Sequence, residues 1–245
     1  QARKDFWVST RKRKQKHNMT SHEPLDGVIK FGAEHQRRSL GSRQFAEMVA
    51  SLQAWRHIFF RLNFIGQDPG RYDGAGFGNV SARIPPHTAT KGKRKFIVTG
   101  TQTGARPHLG LGDYCVVESY DMRLNRVQSY GDTMPSSESM THGAIYDLNP
   151  SIRFVFHGHI PVIWRQAGAL RLPTSRPEVA YGTPDMAYEV SRLYRESSLS
   201  DRKVLAMGGH EDGIISFGKN ADEAGSALVS TLSQALQLES MPSVL

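Results

Sequence analysis

The chain has 245 residues, 38% of them hydrophobic, and a formal charge of +8. That length can bury one substantial core, and its apolar runs, such as Ile58-Phe59-Phe60, are far too short to span a membrane. Residues 1–18 hold seven Lys or Arg against one Asp, so they carry +6 and leave +2 for the other 227 residues, which argues against a basic nucleic-acid-binding face.

Residues 1–18 read as a basic, disordered extension and residues 19–245 as a single domain. The run Arg11-Lys12-Arg13-Lys14-Gln15-Lys16 lacks the apolar stretch of a secretory signal and precedes Met19, which can serve as a start. Its functional alternative is a nucleic-acid or localisation tail, since short basic runs serve either purpose. The lone cysteine, Cys115, excludes an intramolecular disulfide. Flanked by Tyr114, Val116 and Val117, it reads as part of a buried strand in a reducing, cytoplasmic setting.

In chain order, Phe45, Met48, Val49, Leu52, Trp55, Ile58, Phe59 and Leu62 recur at helical spacing behind Ser42 as N-cap, predicting an amphipathic helix of about five turns. Residues 66–78, dense in Gly, Asp and Pro, predict a loop that leads into Asn79–Arg83. Phe96–Val98 and Tyr114–Val117 predict short buried strands. A capped helix is expected from Ser136 to Asp147, then a strand Phe154–Phe156 running into His157. Pro184–Arg195 predicts a helix, Val204–Ala206 and Ile214–Ser216 strands, and 220–236 a closing helix. This order predicts an α/β domain whose central sheet is covered by helices.

Three patterns carry chemistry. In His157-Gly158-His159, residues two apart on a strand point to one face and can converge on one ion, with Gly158 leaving room for close approach. A third ligand must come from elsewhere, and His210, between a strand-like run and a turn, is the best candidate. Three His and an open position make a catalytic rather than a structural site; ordinary hydrogen-bonded strand-end histidines are the alternative. Pro135-Ser136-Ser137-Glu138 places two hydroxyls and free backbone amides at an expected helix start, an anion cradle followed by a carboxylate. Glu138 can equally be a first-turn Glu favoured by the helix dipole. Gly78-Asn79-Val80-Ser81 and Thr99–Gly104 are small polar turns or parts of the same cradle.

In one order along residues 45–237, these elements resemble the class II aldolase/adducin head family. The matching positions are Asn79, Thr103-Gly104, Ser136-Ser137-Glu138, His157/His159 and His210; His142, Tyr146 and Tyr181-Gly182-Thr183 also fit. The resemblance implies a three-layer αβα class II aldolase-like domain with a central mixed or antiparallel sheet, assembled as a homotetramer. It further implies that His157, His159 and His210 hold Zn2+ or another divalent metal, that Glu138 is the acid/base, and that Asn79, Thr103, Gly104, Ser136 and Ser137 bind a substrate phosphate. The implied activity is a metal-dependent carbon–carbon lyase that cleaves a small polyhydroxylated, phosphorylated substrate through an enediolate. Dehydration, decarboxylation and a non-catalytic adducin-like assembly module are the alternatives on the same scaffold. Glu at position 138, where the family's epimerases carry Asp, argues against epimerisation.

The chain departs from the family pattern in three places. Glu211 and Asp212 stand between His210 and Gly213, where the family's His meets Gly directly; either acid can act as an outer partner of the metal or compete for it. The loop Thr99–Gly104 is longer, which admits a carboxylate in place of a phosphate. Aldolases of the family take a general acid, often Tyr, from a neighbouring subunit's C-terminal part, and the segment after Leu236 contains no Tyr.

Overall fold

A computed structural model describes residues 28–41 and 43–240. The expected basic extension and the N-cap Ser42 lie outside the described residues. The elements in chain order are β1 (Gly32–Arg37), α1 (Arg43–Arg61), β2 (Gly66–Gln67), β3 (Gly76–Phe77), β4 (Asn79–Arg83), β5 (Phe96–Thr99), β6 (Tyr114–Asp121) and β7 (Arg126–Gly131). They continue with α2 (Ser139–Leu148), β8 (Phe154–His159), α3 (Pro161–Arg165), α4 (Pro184–Glu196), α5 (Leu199–Arg202), β9 (Val204–Ala206), β10 (Gly213–Gly218) and α6 (Ala221–Ser240).

Eight strands form one sheet in the order β1-β7-β6-β5-β4-β8-β10-β9, while β2 and β3 pair as a small hairpin within the expected 66–78 loop. Every pairing in the large sheet is antiparallel except that of β1 with β7, so the sheet is mixed. Alternating side chains divide the core in two. Val80, Ile97, Val116, Phe156 and Ile214 face the layer of α1, α3 and α6. Val98, Cys115, Val117, Val155 and Ile215 face the layer of α2, α4 and α5. The result is the three-layer αβα arrangement, which buries both faces of a sheet rich in β-branched residues. Cys115 is completely buried in β6, and that burial pushes its thiol pKa up, so it packs as a small apolar side chain.

Three local expectations need correction. The buried face of α1 runs through Val49, Leu52, Arg56 and Phe59, whereas Ile58 and Leu62 are exposed. Arg56 thus takes a position that helical spacing would give to an apolar side chain. The second helix begins at Ser139 rather than Ser136, and Glu138 at its N-cap makes no side-chain capping bond. Gly158 leaves room on the face away from the histidines: a Cβ there would stand 3.0 Å from the Phe64 carbonyl, which accepts the His159 amide at 2.8 Å.

No helix among the described residues is long and apolar enough to cross a membrane.

Candidate metal centre and its recess

The centre forms where β4, β8 and β10 lie side by side. Asn79 opens β4 opposite His157 of β8, and His159 pairs with Gly213 at the start of β10. Strand alternation puts His157 and His159 on the α2–α4 face of the sheet with Val155. His210 comes from the tight turn before β10, closed by its own amide donating to Met207 O (3.2 Å) and by Gly213 N–H donating to its carbonyl (2.9 Å).

The ligand atoms of His157, His159 and His210 all lie within 4.8 Å of one another, and each residue is buried. The imidazole centroids are 4.7–5.3 Å apart, and Nε2 of His159 is 3.0 Å from Nε2 of His210. Nδ1 of His157 donates to Ile214 O at 3.2 Å, which fixes its tautomer and leaves Nε2 as the lone-pair nitrogen. Burial lowers the His157 pKa to about 4 and holds His159 and His210 well below the ordinary histidine range, with neighbouring imidazoles and the charges of Arg71 and Lys30 adding to the shift. All three are therefore neutral near pH 7, the form a divalent metal requires. Neutral nitrogens facing one another at hydrogen-bonding distance fit a shared cation, so the donor set can hold a divalent ion.

Glu138 enters from the start of α2, 2% exposed, with Oε1 3.6 Å from Nε2 of His210. Its carbonyl starts α2 by accepting the His142 amide at 3.0 Å, and its own N–H donates to Ser136 Oγ at 3.4 Å. The strand-like contact of Ser136 N–H with Thr99 O (3.2 Å) then joins the Ser-Ser-Glu segment to the end of β5.

A small recess, about 20 Å³, opens onto His157, His159 and Glu138. Asn79, Thr103, Gly104, Ser136 and Ser137, all expected at the site, also line it. Asn79 Oδ1 has no hydrogen-bond partner among the described residues, although the atom is buried. Such an atom costs free energy unless something fills the recess. Thr103 Oγ1 donates to Gly100 O at 2.9 Å, which folds the Thr99–Gly104 loop back on itself. The carbonyl of Thr103 accepts Nη2 of the buried Arg56 at 2.9 Å, and Pro107 O accepts Nη1 at 3.2 Å, so α1 fastens this loop from behind.

Sequence reasoning missed three contributors, Arg56, Lys30 and Tyr72. The burial of Arg56 depends on carbonyls some 50 residues away. Tyr181 packs its ring 4.5 Å from His210, with Lys30 3.5 Å above that ring. On the other flank Tyr72 meets His159 edge-on at 4.4 Å and donates to Asp212 Oδ2 at 2.6 Å. Burial first, and the Asp212 carboxylate second, push the Tyr72 phenol pKa up, so it keeps its proton. Of the two acids following His210, Glu211 is exposed and only Asp212 faces inward. The one local signal for Tyr72 was an aromatic residue inside a Gly-, Asp- and Pro-rich loop.

Behind the centre, Ser81 Oγ lies 2.6 Å from Nδ1 of His142 and 2.7 Å from the Tyr146 hydroxyl, a buried chain linking β4 to α2. Burial, with His157 nearby, lowers the His142 pKa to about 3.

The profile of the Class II Aldolase and Adducin N-terminal domain family matches residues 70–238. No curated protein matches the chain. Among solved structures, YgbL of Escherichia coli, described with the alternatives aldolase, epimerase and decarboxylase, is 16% identical with a TM-score of 0.60; the match covers 83% of this chain and 93% of that one. The sugar-phosphate aldolase of Thermotoga maritima is 15% identical (TM-score 0.57; 82% and 97% covered), and the L-fuculose-1-phosphate aldolase of Thermus thermophilus is 19% identical (TM-score 0.54; 81% and 100% covered). At these identities the likeness is one of fold, whereas the profile match spans well over half the chain and includes every residue of the histidine centre and its recess. The chain belongs to the class II aldolase/adducin N-terminal domain family.

Proposed function

We propose that this protein is a zinc-dependent aldolase-type lyase that cleaves a small polyhydroxylated, phosphorylated substrate through an enediolate, and that residues 19–245 act as one catalytic domain. The observation that carries this reading is the convergence of three neutral, buried imidazoles with a buried carboxylate 3.6 Å from one of them, beside a recess lined with hydroxyls.

A zinc ion on His157, His159 and His210 would polarise the substrate's adjacent carbonyl and hydroxyl oxygens and offset the negative charge that develops as the carbon–carbon bond breaks. Glu138 exchanges the proton at the carbon that was bonded to the departing aldehyde, giving it up in cleavage and taking it back in synthesis. Asn79, Thr103, Gly104, Ser136 and Ser137 anchor the phosphate with neutral donors, which keeps a competing cation away from the centre. The buried position of Glu138 excludes bulk water from this proton transfer.

A structural assembly module has no physical need for three histidines gathered within ligand distance of one another beside a buried glutamate. That gathering supports the catalytic reading over an adducin-like one. The family relationship supports a homotetramer, and the lone reduced cysteine a cytoplasmic setting. Dehydration and decarboxylation need the same stabilised enolate, so substrate screening must include both.

The test is metal content per chain, measured by plasma emission on untagged protein, followed by assay against phosphorylated ketose aldols. The expected result is about one zinc per chain in the wild type, absent from His210→Ala, together with release of an aldehyde. Wild-type protein that takes up no zinc on reconstitution would sink the reading.

A further inference from the structure

We infer that Tyr72 and Asp212 form a clasp that positions His159 and His210 for the metal, so that the Gly66–Gly78 loop is a working part of the centre. The inference rests on the metal-binding reading above; it adds Tyr72, to which neither the motifs nor the fold assign a role, and gives Asp212, one of the two acids after His210, defined partners.

Three independent contacts meet at Asp212. Its carboxylate accepts the Tyr72 hydroxyl at 2.6 Å and Nη2 of Arg71 at 3.3 Å. Its carbonyl accepts the amide of Ile160, the residue after His159, at 2.8 Å. Its backbone, at φ 61°, turns the chain between His210 and β10. One residue thus ties together the turn that carries His210, the end of the strand that carries His159, and the 66–78 loop.

Tyr72 completes the connection. Its ring meets His159 edge-on at 4.4 Å and Phe77 at 5.2 Å, and Phe77 lines the recess. Arg71 lies with its guanidinium 4.8 Å from the Tyr72 ring and 5.2 Å from that of Phe77, and also bonds the phenol oxygen. Tyr72 has φ 50°, with Asp73 at 54° and Gly74 at 75°. A bulky residue in the left-handed region is an outlier that persists only where its surroundings hold it. Here they hold the ring against a metal-ligand imidazole. A rotating His159 would lose both the ring contact and the alignment of its nitrogen with that of His210, 3.0 Å away. Outer partners of this kind orient ligand histidines.

The test compares wild type, Tyr72→Phe, Asp212→Asn and His210→Ala by zinc affinity, in competition with a chromophoric chelator, and by the visible spectrum of the cobalt(II) forms. Tyr72→Phe keeps the ring and deletes only the hydroxyl, so a role in packing alone leaves both readouts at wild type. The clasp predicts zinc binding weaker by roughly 10- to 100-fold and an altered cobalt spectrum. Asp212→Asn tolerates the positive φ and keeps an acceptor for Tyr72, so it should bind zinc more tightly than Tyr72→Phe. Wild-type affinity and spectrum in Tyr72→Phe, with zinc lost from His210→Ala, would overturn the clasp while leaving the metal centre standing. Undiminished zinc in His210→Ala would remove the centre and the clasp together.

Discussion

Gly213 and His210 touch across the turn: a Cβ built on Gly213 would stand 2.6 Å from Cδ2 of the imidazole and 3.0 Å from the His210 carbonyl oxygen. Although two acids separate the pair in sequence, the glycine keeps the space that the histidine needs. Gly213→Ala should therefore push the ring out of alignment, at a stability cost of about 1–3 kcal/mol. Zinc content by plasma emission and the thermal midpoint check this. Full zinc occupancy in a normally stable variant would show that His210 has room to spare.

Glu138→Gln preserves volume and removes the charge. If Glu138 moves the proton, the variant should retain zinc while kcat falls by about 10²–10⁴. Loss of zinc would instead make Glu138 chiefly a ligand. The two outcomes separate in a single preparation assayed for metal and turnover.

Arg56→Leu should leave the carbonyls of Thr103 and Pro107 without their donor, at about 1–3 kcal/mol for each that stays buried. Since Thr103 and Gly104 line the recess, KM should rise as the thermal midpoint falls. Arg56→Lys should rescue little, because an ammonium cannot span the two acceptors as the guanidinium fork does. A lysine variant with wild-type KM would argue that only the charge matters.

The pKa values of His142 and His157 are depressed from 6.5 in the folded chain, to about 3 and about 4. The unfolded chain therefore binds protons that the folded chain refuses. The stability from these groups is complete above pH 6.5 and is lost as pH falls toward 4 and 3, each adding a slope of up to about 1.4 kcal/mol per pH unit. Denaturant melts of the metal-free protein at pH 7, 6 and 5 should show the decline, and His142→Asn should flatten it by up to one such slope. Equal slopes in both proteins would show that His142 takes up its proton without unfolding.

The parts of this structure legible in the sequence are those whose reason is local. Helix α4 has its Thr183 cap, Pro184 and a periodic apolar face within 14 residues, and the histidines of β8 announce themselves by spacing. Strand β1 does not: Gly-Ala-Glu-His-Gln-Arg has no apolar face, and its reason for being extended is parallel pairing with β7, about 94 residues away. The late start of α2 had a similar cause. Ser136 is drawn off the helix by its amide bond to Thr99, so the expected cap became part of the recess. Arg56 and Tyr72 owe their positions to partners distant in the chain, and no window of neighbours contains the cause.

His159 and His210 are 51 residues apart, and the intervening chain includes α3, α4, α5 and β9. An ion shared by the two would behave as a removable cross-link that closes a long loop, and the conformational entropy it takes from the unfolded chain grows with the logarithm of that loop's length. Stripping the metal should then loosen one edge of the molecule before the rest, with amide exchange rising first in β9 and α5 while β5 and β6, outside the loop, stay protected. The centre that serves chemistry would also serve as the rivet of this half of the sheet.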